Sequence, residues 1–380
     1  MSHPSRIVVC SLEAWDEVWR RNQYLVDNLL NDDAELEVLF VEPPADPSHA
    51  LSHGRRTQFG TGLRLASGYE GRLHTFQPTK LLPRRVGAAV DSMLARSVRS
   101  AVRRLGWETP TLWINDPRWL PLLESTGWPS LYDITDDWIQ AERGTREHDL
   151  LAASDAGLLA RCDEVVVCSP ALQLSKGAAR EVSLIRNAVD VDRYRLPQDR
   201  PAELPEVPTA LYVGTLHEDR LDVELVLATA RRLAEFGGRL VLVGPNALTA
   251  RNAQRLELAL AIDVLGSRPK ESIPAYLQHA GVLIVPHVVD DFTDSLDPIK
   301  LYEYLAVGRP IVSTPVAGFR DESGSGGVVV AGGGDFVEAV ARAASQQAPS
   351  LAREGVPDWS DRAAELRAVL DRLPSRSATA

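Results

Sequence analysis

Short apolar runs rich in β-branched residues alternate with helical stretches along almost all of the 380-residue chain. This alternation constrains the fold more than any other feature, because strands separated by helices form parallel sheets with helices packed on their faces. The predicted strands cover 7–10, 37–41, 73–76, 111–114, 130–132, 164–168 and 182–185, then 210–213, 240–243, 262–265, 282–285, 311–313 and 328–330. The segment 196–208, with four prolines and no periodicity, lies between the two series. The sequence therefore predicts two α/β domains, 1–195 and 209–358, joined by a linker at 196–208.

Composition narrows the class of protein further. A hydrophobic content of 44% supports two cores, and a net charge of −11 argues against a general nucleic-acid binder, which must neutralise phosphates. The three cysteines have neither metal-ligand spacing nor a disulfide framework, which favours a reducing cytoplasm. The amino terminus enters a strand without a signal-peptide pattern, and no apolar run reaches transmembrane length. We therefore expect a soluble cytoplasmic protein.

The segment from Asp294 to Thr314 contains the strongest functional signal. Pro298 favours the first turn of a short helix, and Gly308 ends that helix as a C-cap. A helix N-terminus that faces a loop is an anion site, because its free N–H groups and its dipole favour phosphate. Lys300 and Glu303 lie one turn apart on this helix, so that one can bind a phosphate and the other can accept hydrogen bonds from sugar hydroxyls. The alternative for Lys300, one of only four lysines, is a chance surface position.

This segment resembles the donor-binding motif of retaining GT-B glycosyltransferases of the family-four type. In that motif an acid, a loop, a second acid, Gly-x-Pro and a strand follow one another. Glu303 matches the second acid, which in the family holds the ribose of a nucleotide sugar, while Ser295 stands at the first acid's position. Further segments resemble family motifs in the expected order: 183–190, 212–216, 243–245 and 359–363. The resemblance implies two Rossmann-like domains that face each other across a cleft, with a C-terminal helix, 359–373, crossing back to the N-terminal domain.

The resemblance also implies a donor site in the second domain. The family's loop after the first strand carries cations for the donor diphosphate; here Thr215 stands where Arg is common and Arg220 stands near the usual lysine. The catalytic residues implied are Lys300, Arg220 and Glu303. The donor-binding residues implied are Gly214, Thr215, His217, Gly244, Ser267, His287, Ser295, Asp297, Pro298 and Ile299. Surface positions remain alternatives for Arg220 and His217.

The family is metal-independent, so we expect no metal and no cofactor beyond the nucleotide-diphosphate sugar, which is a co-substrate. The adjacent pair Asp290 and Asp291 is read as solvated and not as a metal-binding motif. The nucleobase cannot be predicted, because the family contacts it mainly through backbone groups.

In the first domain, the segment after the first strand resembles a subgroup of bacterial cell-surface polysaccharide transferases. Trp15 and Trp19 offer flat rings that can stack on a sugar, and either Arg20 or Arg21 can meet an anionic acceptor; Trp15 and Arg21 are the acceptor-binding residues expected. Asp136 and Asp137 are candidates for orienting the acceptor hydroxyl. The alternatives are tryptophans packed inward and aspartates that cap a helix.

The segment 83–105 predicts a basic amphipathic helix. Its arginines, Arg85, Arg96, Arg99 and Arg103, fall within a narrow arc. Its apolar side chains, Val86, Val90, Met93, Leu94, Ala101 and Leu105, fall opposite. Such a stripe suits anionic lipid at the inner face of the plasma membrane, whereas the alternative is a core-packed helix with a solvated arginine face.

The leading functional hypothesis is therefore a glycosyltransferase that moves a sugar from a nucleotide-diphosphate donor with retention of configuration. The acceptor is a glycan, a lipid-linked molecule or a small molecule, and nucleic acid is not expected as a partner. Two alternatives stay open: a non-catalytic protein that binds nucleotide sugars or glycans, and a nucleotide-sugar epimerase on the same fold.

Overall fold

The computed structural model describes residues 5–47, 58–81, 89–135, 145–294, 296–324, 327–346 and 353–376. Its strands are β1 (Arg6–Cys10), β2 (Glu37–Val41), β3 (Gly62–Leu65), β4 (Leu73–Gln77), β5 (Thr111–Ile114), β6 (Ser130–Ile134), β7 (Glu164–Val167), β8 (Ser183–Leu184), β9 (Thr209–Val213), β10 (Leu216–His217), β11 (Arg239–Val243), β12 (Asn246–Ala247), β13 (Ile262–Gly266), β14 (Val282–Val285), β15 (Ile311–Ser313) and β16 (Val328–Val330). Its helices are α1 (Arg21–Asp32), α2 (Ala89–Arg104), α3 (Leu120–Thr126), α4 (Thr145–Arg161), α5 (Pro170–Gly177), α6 (Val191–Arg195), α7 (Val223–Ala234), α8 (Ala250–Glu257), α9 (Ile273–His279), α10 (Asp291–Asp294), α11 (Ile299–Val307), α12 (Gly333–Ser345) and α13 (Trp359–Leu370). The chain forms two units, Met1–Arg186 with Ser360–Ala380, and Asn187–Trp359.

The first unit contains a sheet of eight strands in the order β3-β4-β2-β1-β5-β6-β7-β8. All of its pairings are parallel except that of β3 with β4, and every strand predicted in the first half of the chain is present. The edge strand β3 was not predicted, because Arg64 and Leu65 are exposed and the strand lacks a buried apolar run. The parallel order confirms the predicted α/β architecture of this half.

The C-terminal helix α13 belongs to the first unit although it follows the second unit in the chain. Its apolar residues Leu366 and Leu370 are fully buried. The Arg367 guanidinium lies 3.3 Å from the Asp33 carboxylate just after α1. These contacts explain why the helix returns to the first unit, as the sequence predicted.

The second unit contains a wholly parallel sheet of six strands in the order β13-β11-β9-β14-β15-β16. Alternate residues of each strand enter different cores, because successive side chains point to opposite faces. On β9, Leu211 and Val213 join the core formed with α9 and α11. Ala210 and Tyr212 join the core formed with α7 and α12. The sheet is therefore buried on both faces, and its carboxyl ends carry the loops considered below.

The segment before β9 packs on the second unit. Tyr194 and Leu204 are buried, and the Gln278 side chain bonds to the backbone of Leu196 and Gln198. The compact unit therefore begins at Asn187, before the segment 196–208 that the sequence predicted as a linker.

The predicted basic helix is present as α2, and the earlier part of that prediction, 83–88, lies outside the described residues. Val98 and Val102 are fully buried in the first core, whereas Arg96 and Arg103 are exposed. Met93 was predicted on the apolar side but is 41% exposed, because the buried stripe is centred on Val98 and Val102 and Met93 falls beyond its edge. Among the helices that the structure describes, none is long and apolar enough to cross a membrane.

Candidate functional site

Two glycines allow the loops after β9 and β11 to pass at very short distance. Gly214 and Gly244 have φ angles of +146° and +145°, which side-chain-bearing residues rarely adopt. A Cβ atom on Gly244 would lie 2.2 Å from the carbonyl oxygen of Gly214, and the Gly214 N–H donates to the Val243 carbonyl at 2.8 Å. The two loops are therefore fixed against each other at the carboxyl ends of adjacent strands.

The Lys300 ammonium lies at this crossing. Its Nζ atom is 2.7 Å from the place where a Gly214 Cβ would be, so that a side chain there would displace it. The same atom is 4.9 Å from the centre of the Tyr212 ring and 3.5 Å from the Tyr212 hydroxyl. An aromatic face attracts a cation, and the ammonium is therefore held beside the glycine loop before any ligand arrives.

His287, the second residue after β14, joins the same cluster. Its Nε2 atom lies 3.1 Å from the Tyr212 hydroxyl, and its backbone N–H donates to Thr314 Oγ1 at 3.2 Å. Burial lowers the pKa of His287 well below its ordinary value, and the positive charges of Lys300 and Arg220 lower it further. The imidazole is therefore neutral at pH 7 and can both donate and accept a hydrogen bond.

The loop that follows Gly214 brings its residues to different distances from this cluster. The Thr215 carbonyl accepts from the Tyr212 hydroxyl at 3.3 Å, and the Arg220 carbonyl accepts from the Val288 N–H at 2.8 Å. Arg220 is thereby tied to the loop that carries His287. His217 is exposed, and its Nδ1 atom lies 3.4 Å from the Asp219 carboxylate.

Helix α11 begins beside this cluster. Pro298 is its N-cap and has no side-chain hydrogen-bonding group, so it leaves the first N–H groups of the helix, including that of Ile299, uncapped by the N-cap side chain. Gly308 ends the helix in the left-handed conformation, as predicted. The first turn of α11 thus combines helix N–H groups with the Lys300 ammonium, which is the arrangement expected for an anion site.

Glu303 lies one turn further along α11 and is half-buried. Its Oε1 atom accepts from the Tyr194 hydroxyl at 2.5 Å. Burial raises the pKa of Glu303, while the Tyr194 hydrogen bond and the charges of Lys300 and Arg193 act in the opposite direction. The carboxylate is therefore held in position by Tyr194, and within the described ranges no hydrogen bond engages its second oxygen.

Asp297, predicted to bind the donor, is buried and engaged by the protein. Its Oδ2 atom accepts from the Asn187 N–H at 2.5 Å, and its Oδ1 atom accepts from the Tyr302 hydroxyl at 2.8 Å. Its described contacts are therefore structural, and direct donor binding by Asp297 stays a prediction. Ser295, at the position of the family's first acid, lies outside the described residues.

Ser267, predicted near the nucleobase, is exposed just after β13. Its carbonyl accepts from Arg268 at 2.9 Å, and Arg268 also bonds to Glu203 at 2.6 Å. The backbone after β13 is therefore fixed by Arg268, which is compatible with recognition through backbone groups.

Three residues of this site were not singled out from the sequence: Tyr212, Thr314 and Tyr194. Tyr212 lies inside a strand and Thr314 directly after one, so both fit the pattern of a buried sheet. Tyr194 lies in α6, far from Glu303 in the chain, and no local signal marks it. No cluster of three or more His, Cys, Asp or Glu residues that could hold a metal ion occurs within the described ranges.

The predicted acceptor residue Trp15 lies in an aromatic cluster of the first unit. Its ring centre is 5.0 Å from that of Phe40 and 5.8 Å from those of Trp19 and Tyr69. Its backbone N–H donates to Glu42 at 3.0 Å. Trp15 is half-buried, and these contacts fix the orientation of its ring.

Arg21, the second predicted acceptor residue described, is buried with 4% exposure. Its guanidinium pairs with the fully buried Asp133 carboxylate at 3.3 Å, and Asp133 also accepts from Trp113 and Asn115 at 3.2 Å. This network satisfies both charges inside the protein. Asp136 and Asp137 lie outside the described residues.

Residues 207–347 match the family model described as glycosyl transferases group 1. Among curated proteins, TuaH of Bacillus subtilis (strain 168), provisionally named a teichuronic acid biosynthesis glycosyltransferase, is 22% identical over 222 residues, which are 53% of this chain and 55% of TuaH. WcaL of Escherichia coli (strain K12), provisionally named a colanic acid biosynthesis glycosyltransferase, is 26% identical over 152 residues, which are 38% of this chain and 37% of WcaL. The chain thus spans about half of TuaH and little more than a third of WcaL.

Solved structures resemble nearly the whole chain at low sequence identity. Sucrose-phosphate synthase from Thermosynechococcus elongatus has a TM-score of 0.65 at 17% identity, covering 96% of this chain and 94% of that one. Anabaena HepE in complex with UDP and glucose has a TM-score of 0.65 at 14% identity, covering 98% and 100%. The catalytic domain of starch synthase IV from Arabidopsis thaliana, bound to ADP and acarbose, has a TM-score of 0.65 at 11% identity, covering 98% and 99%. These similarities confirm the GT-B fold.

Proposed function

We propose, from the glycosyl transferases group 1 domain that residues 207–347 form and from the GT-B fold, that this protein is a glycosyltransferase using a nucleotide-diphosphate sugar. The observation that carries the proposal is the cluster of Lys300, Tyr212 and His287 around Gly214, beside the first turn of α11. This cluster combines a preplaced cation with helix N–H groups, and a diphosphate needs both. The structurally similar HepE contains UDP, and starch synthase IV contains ADP, which supports a nucleoside diphosphate as the ligand class.

Glu303 would hold the ribose. Its second carboxylate oxygen is available for a ribose hydroxyl while Tyr194 occupies the first. Both oxygens of an ionised Glu side chain can accept hydrogen bonds, whereas in the protonated side chain one oxygen carries a proton and donates. Burial raises the pKa of Glu303. The hydrogen bond from Tyr194 opposes this shift and therefore helps to keep the Glu303 carboxyl group ionised.

The proposed reaction retains configuration at the anomeric carbon. Lys300 and Arg220 would stabilise the negative charge that develops on the departing nucleoside diphosphate, and the leaving phosphate would take the proton of the acceptor hydroxyl on the same face. The glycosidic C–O bond to phosphate breaks as the new C–O bond to the acceptor forms. His287 is neutral, so it would serve as a hydrogen-bonding group toward the sugar or the phosphate and not as an additional cation.

The proposed acceptor is an acidic glycan of the cell envelope. The names of TuaH and WcaL refer to teichuronic and colanic acid biosynthesis, which supports acidic polysaccharide over a neutral small molecule. The exposed arginines of α2 further support contact with anionic lipid, where a lipid-linked acceptor would be met. We propose that no metal ion is required.

Binding and turnover of a donor panel test the proposal. The protein is mixed with UDP-, GDP-, dTDP- and ADP-sugars, with and without EDTA, and thermal shift and slow donor hydrolysis are measured. A transferase should be stabilised by one nucleoside diphosphate and should hydrolyse its sugar slowly, with no dependence on metal. The anomeric configuration of a transfer product, read by NMR, tests retention.

The same panel separates the alternatives. An epimerase would return the donor with an inverted sugar carbon and would need no acceptor. A binding protein would be stabilised by a nucleotide sugar without any hydrolysis or transfer. Absence of stabilisation by any nucleoside diphosphate would refute the proposed function.

A further inference from the structure

A pocket of about 200 Å³ lies in the first unit, at the amino-terminal edge of its sheet. Its walls are formed by Arg99, Val102, Arg103, Trp107, Glu108, Ser125, Thr126 and Trp128. Trp107 lies between α2 and β5, and Trp128 lies between α3 and β6, so the pocket sits where these neighbouring strands begin. The buried pair of Arg21 and Asp133 lies near the carboxyl ends of the same strands. The pocket is therefore separate from Arg21, which was predicted to bind the acceptor.

The pocket offers several hydrogen-bond donors that the described residues leave without acceptors. Arg99 and Arg103 are one helical turn apart on α2, and neither bonds to a carboxylate within the described ranges. Trp107 and Trp128 are 3% and 8% exposed, and neither indole N–H has an acceptor among the described residues. Arginine and indole nitrogens donate only. An oxyanion is rich in acceptors and can take hydrogen bonds from several of these donors at once, so the lining favours an anionic ligand.

The same lining also contains acceptors. Ser125 and Thr126 donate their hydroxyl protons to the Leu122 carbonyl, at 3.1 and 2.8 Å, so that their oxygens remain as acceptors for a ligand. Glu108 is exposed and adds a carboxylate. A fully ionised inorganic anion cannot donate hydrogen bonds to these acceptors. A sugar can, because it has several hydroxyl groups. The lining as a whole therefore favours a ligand that is both anionic and hydroxylated.

We infer that this pocket binds a single sugar residue that carries an oxyanion, namely a hexuronate or a sugar phosphate. Its volume lies below the range of about 300–1,000 Å³ that is usual for drug-sized ligands, which fits one sugar ring and not a nucleotide sugar. The oxyanion faces Arg99 and Arg103, and the ring hydroxyls face Glu108 and Ser125. The pocket would hold an acidic residue of a glycan without taking part in group transfer.

Ligand binding to the full-length protein tests this inference. Affinities for glucuronate and glucose 1-phosphate are measured by calorimetry and by saturation-transfer NMR, with glucose and inorganic phosphate as reference ligands. Each sugar acid should bind at least tenfold more tightly than either reference. The Arg99→Gln/Arg103→Gln variant should lose tenfold or more in affinity, because hydrogen bonds to charged groups are strong. Trp128→Phe, which keeps a ring but removes the N–H, should lose less.

Two variants serve as controls. Arg96→Gln lies on the same helix outside the pocket and should leave the affinity unchanged. Lys300→Ala alters the proposed donor site and should also leave it unchanged, which makes this inference separable from the proposed function. Equal binding of inorganic phosphate would show an adventitious ion only and would overturn the inference. So would sugar-acid binding that survives in the double variant, or binding to phosphatidylglycerol vesicles that needs both arginines while no sugar acid binds.

Discussion

Removal of one hydroxyl group, by Tyr194→Phe, should change the pH dependence of nucleotide binding. The Tyr194 hydroxyl donates to Glu303 at 2.5 Å, and this bond lowers the pKa of a carboxyl group that burial otherwise raises. Phenylalanine keeps the buried ring and removes only the donor. The ionised form of Glu303 then loses one of its stabilising partners, whereas the protonated form loses little, so the pKa of Glu303 should rise further.

The size of this effect follows from the strength of the bond. A hydrogen bond to a charged group contributes about 1.5–3 kcal/mol, and one pKa unit corresponds to about 1.4 kcal/mol. The variant should therefore raise the pKa of Glu303 further, in proportion to the free energy of the lost bond. Because the proposed ribose binding requires the ionised carboxylate, affinity should fall by up to about tenfold per pH unit below that pKa. The loss should be small at alkaline pH and should grow as the pH is lowered.

The effect on stability has the opposite pH trend. A carboxyl group whose pKa is raised in the folded state stabilises that state below its unfolded pKa, and this stabilisation is lost as the pH rises through the folded pKa. In Tyr194→Phe, the pH range over which this stabilisation is lost should extend to higher pH. Stability lost at alkaline pH and affinity lost at acidic pH would thus report the same group.

Calorimetry between pH 5 and 9 measures the affinity for UDP, or for whichever nucleoside diphosphate gives the largest thermal shift. The midpoint compared is the pH at which this affinity has fallen to half of its alkaline value. Titration of the ligand's own phosphates is common to both proteins and cancels in the comparison. Tyr69→Phe is the matched control, because the Tyr69 hydroxyl donates to Asp27 at 2.6 Å in the other unit. An unchanged midpoint, or an affinity loss that is uniform across pH, would refute the role assigned to Tyr194.

Three further substitutions test other parts of the structure. Lys300→Ala should weaken nucleoside diphosphate binding, measured by calorimetry, by about ten- to a hundredfold, because a charged hydrogen bond of about 1.5–3 kcal/mol is lost. Lys270→Ala should not weaken it. Equal effects of the two substitutions would contradict the proposed site. Gly244→Ala should lower Tm by several degrees, because its Cβ would meet a carbonyl oxygen at 2.2 Å, while Gly334→Ala, with open space around it, should leave Tm unchanged. Arg21→Gln should lower unfolding free energy in urea by about 3–5 kcal/mol, because it leaves a buried carboxylate without its cation; a loss below about 1 kcal/mol would show that water or other donors replace it.

The fold was largely predictable because its strands are short, apolar and bounded by turn residues. Runs such as 240–243 and 282–285 are buried on both faces, and such strands form continuous apolar patterns that are visible without any alignment. The edge strand β3 escaped prediction because an edge strand need not bury either face. The compact unit that begins at Asn187 includes the segment 196–208, because Gln278 bonds to that segment from a distant part of the sequence.

The candidate site was predictable only in part. Lys300 and Glu303 share one helix, so their spacing alone placed them one turn apart. Tyr212, Thr314 and Tyr194 come from other elements and reach the site through tertiary packing. A tyrosine within a strand has the same sequence signature whether its hydroxyl meets a histidine or solvent. The hydrogen bonds that position Lys300, His287 and Glu303 are therefore visible only in three dimensions.

The contacts of Asp297 bear on how the proposed donor sugar could be held when Ser295 stands at the position of the motif's first acid. Both carboxylate oxygens of Asp297 already accept from Asn187 and Tyr302, so further hydrogen bonds to a sugar would compete with strong internal ones. His287 differs, because its Nε2 atom faces Tyr212 while burial and two cations keep the ring neutral. If the Tyr212 hydroxyl donates to the Thr215 carbonyl, it must accept from Nε2–H, and the Nδ1 atom of the neutral ring is then an acceptor. An acceptor nitrogen can take the hydrogen bond from a sugar hydroxyl that a glutamate would otherwise take. His287→Gln, which retains an acceptor, should therefore keep more donor affinity than His287→Leu, and equal loss in the two variants would exclude this assignment.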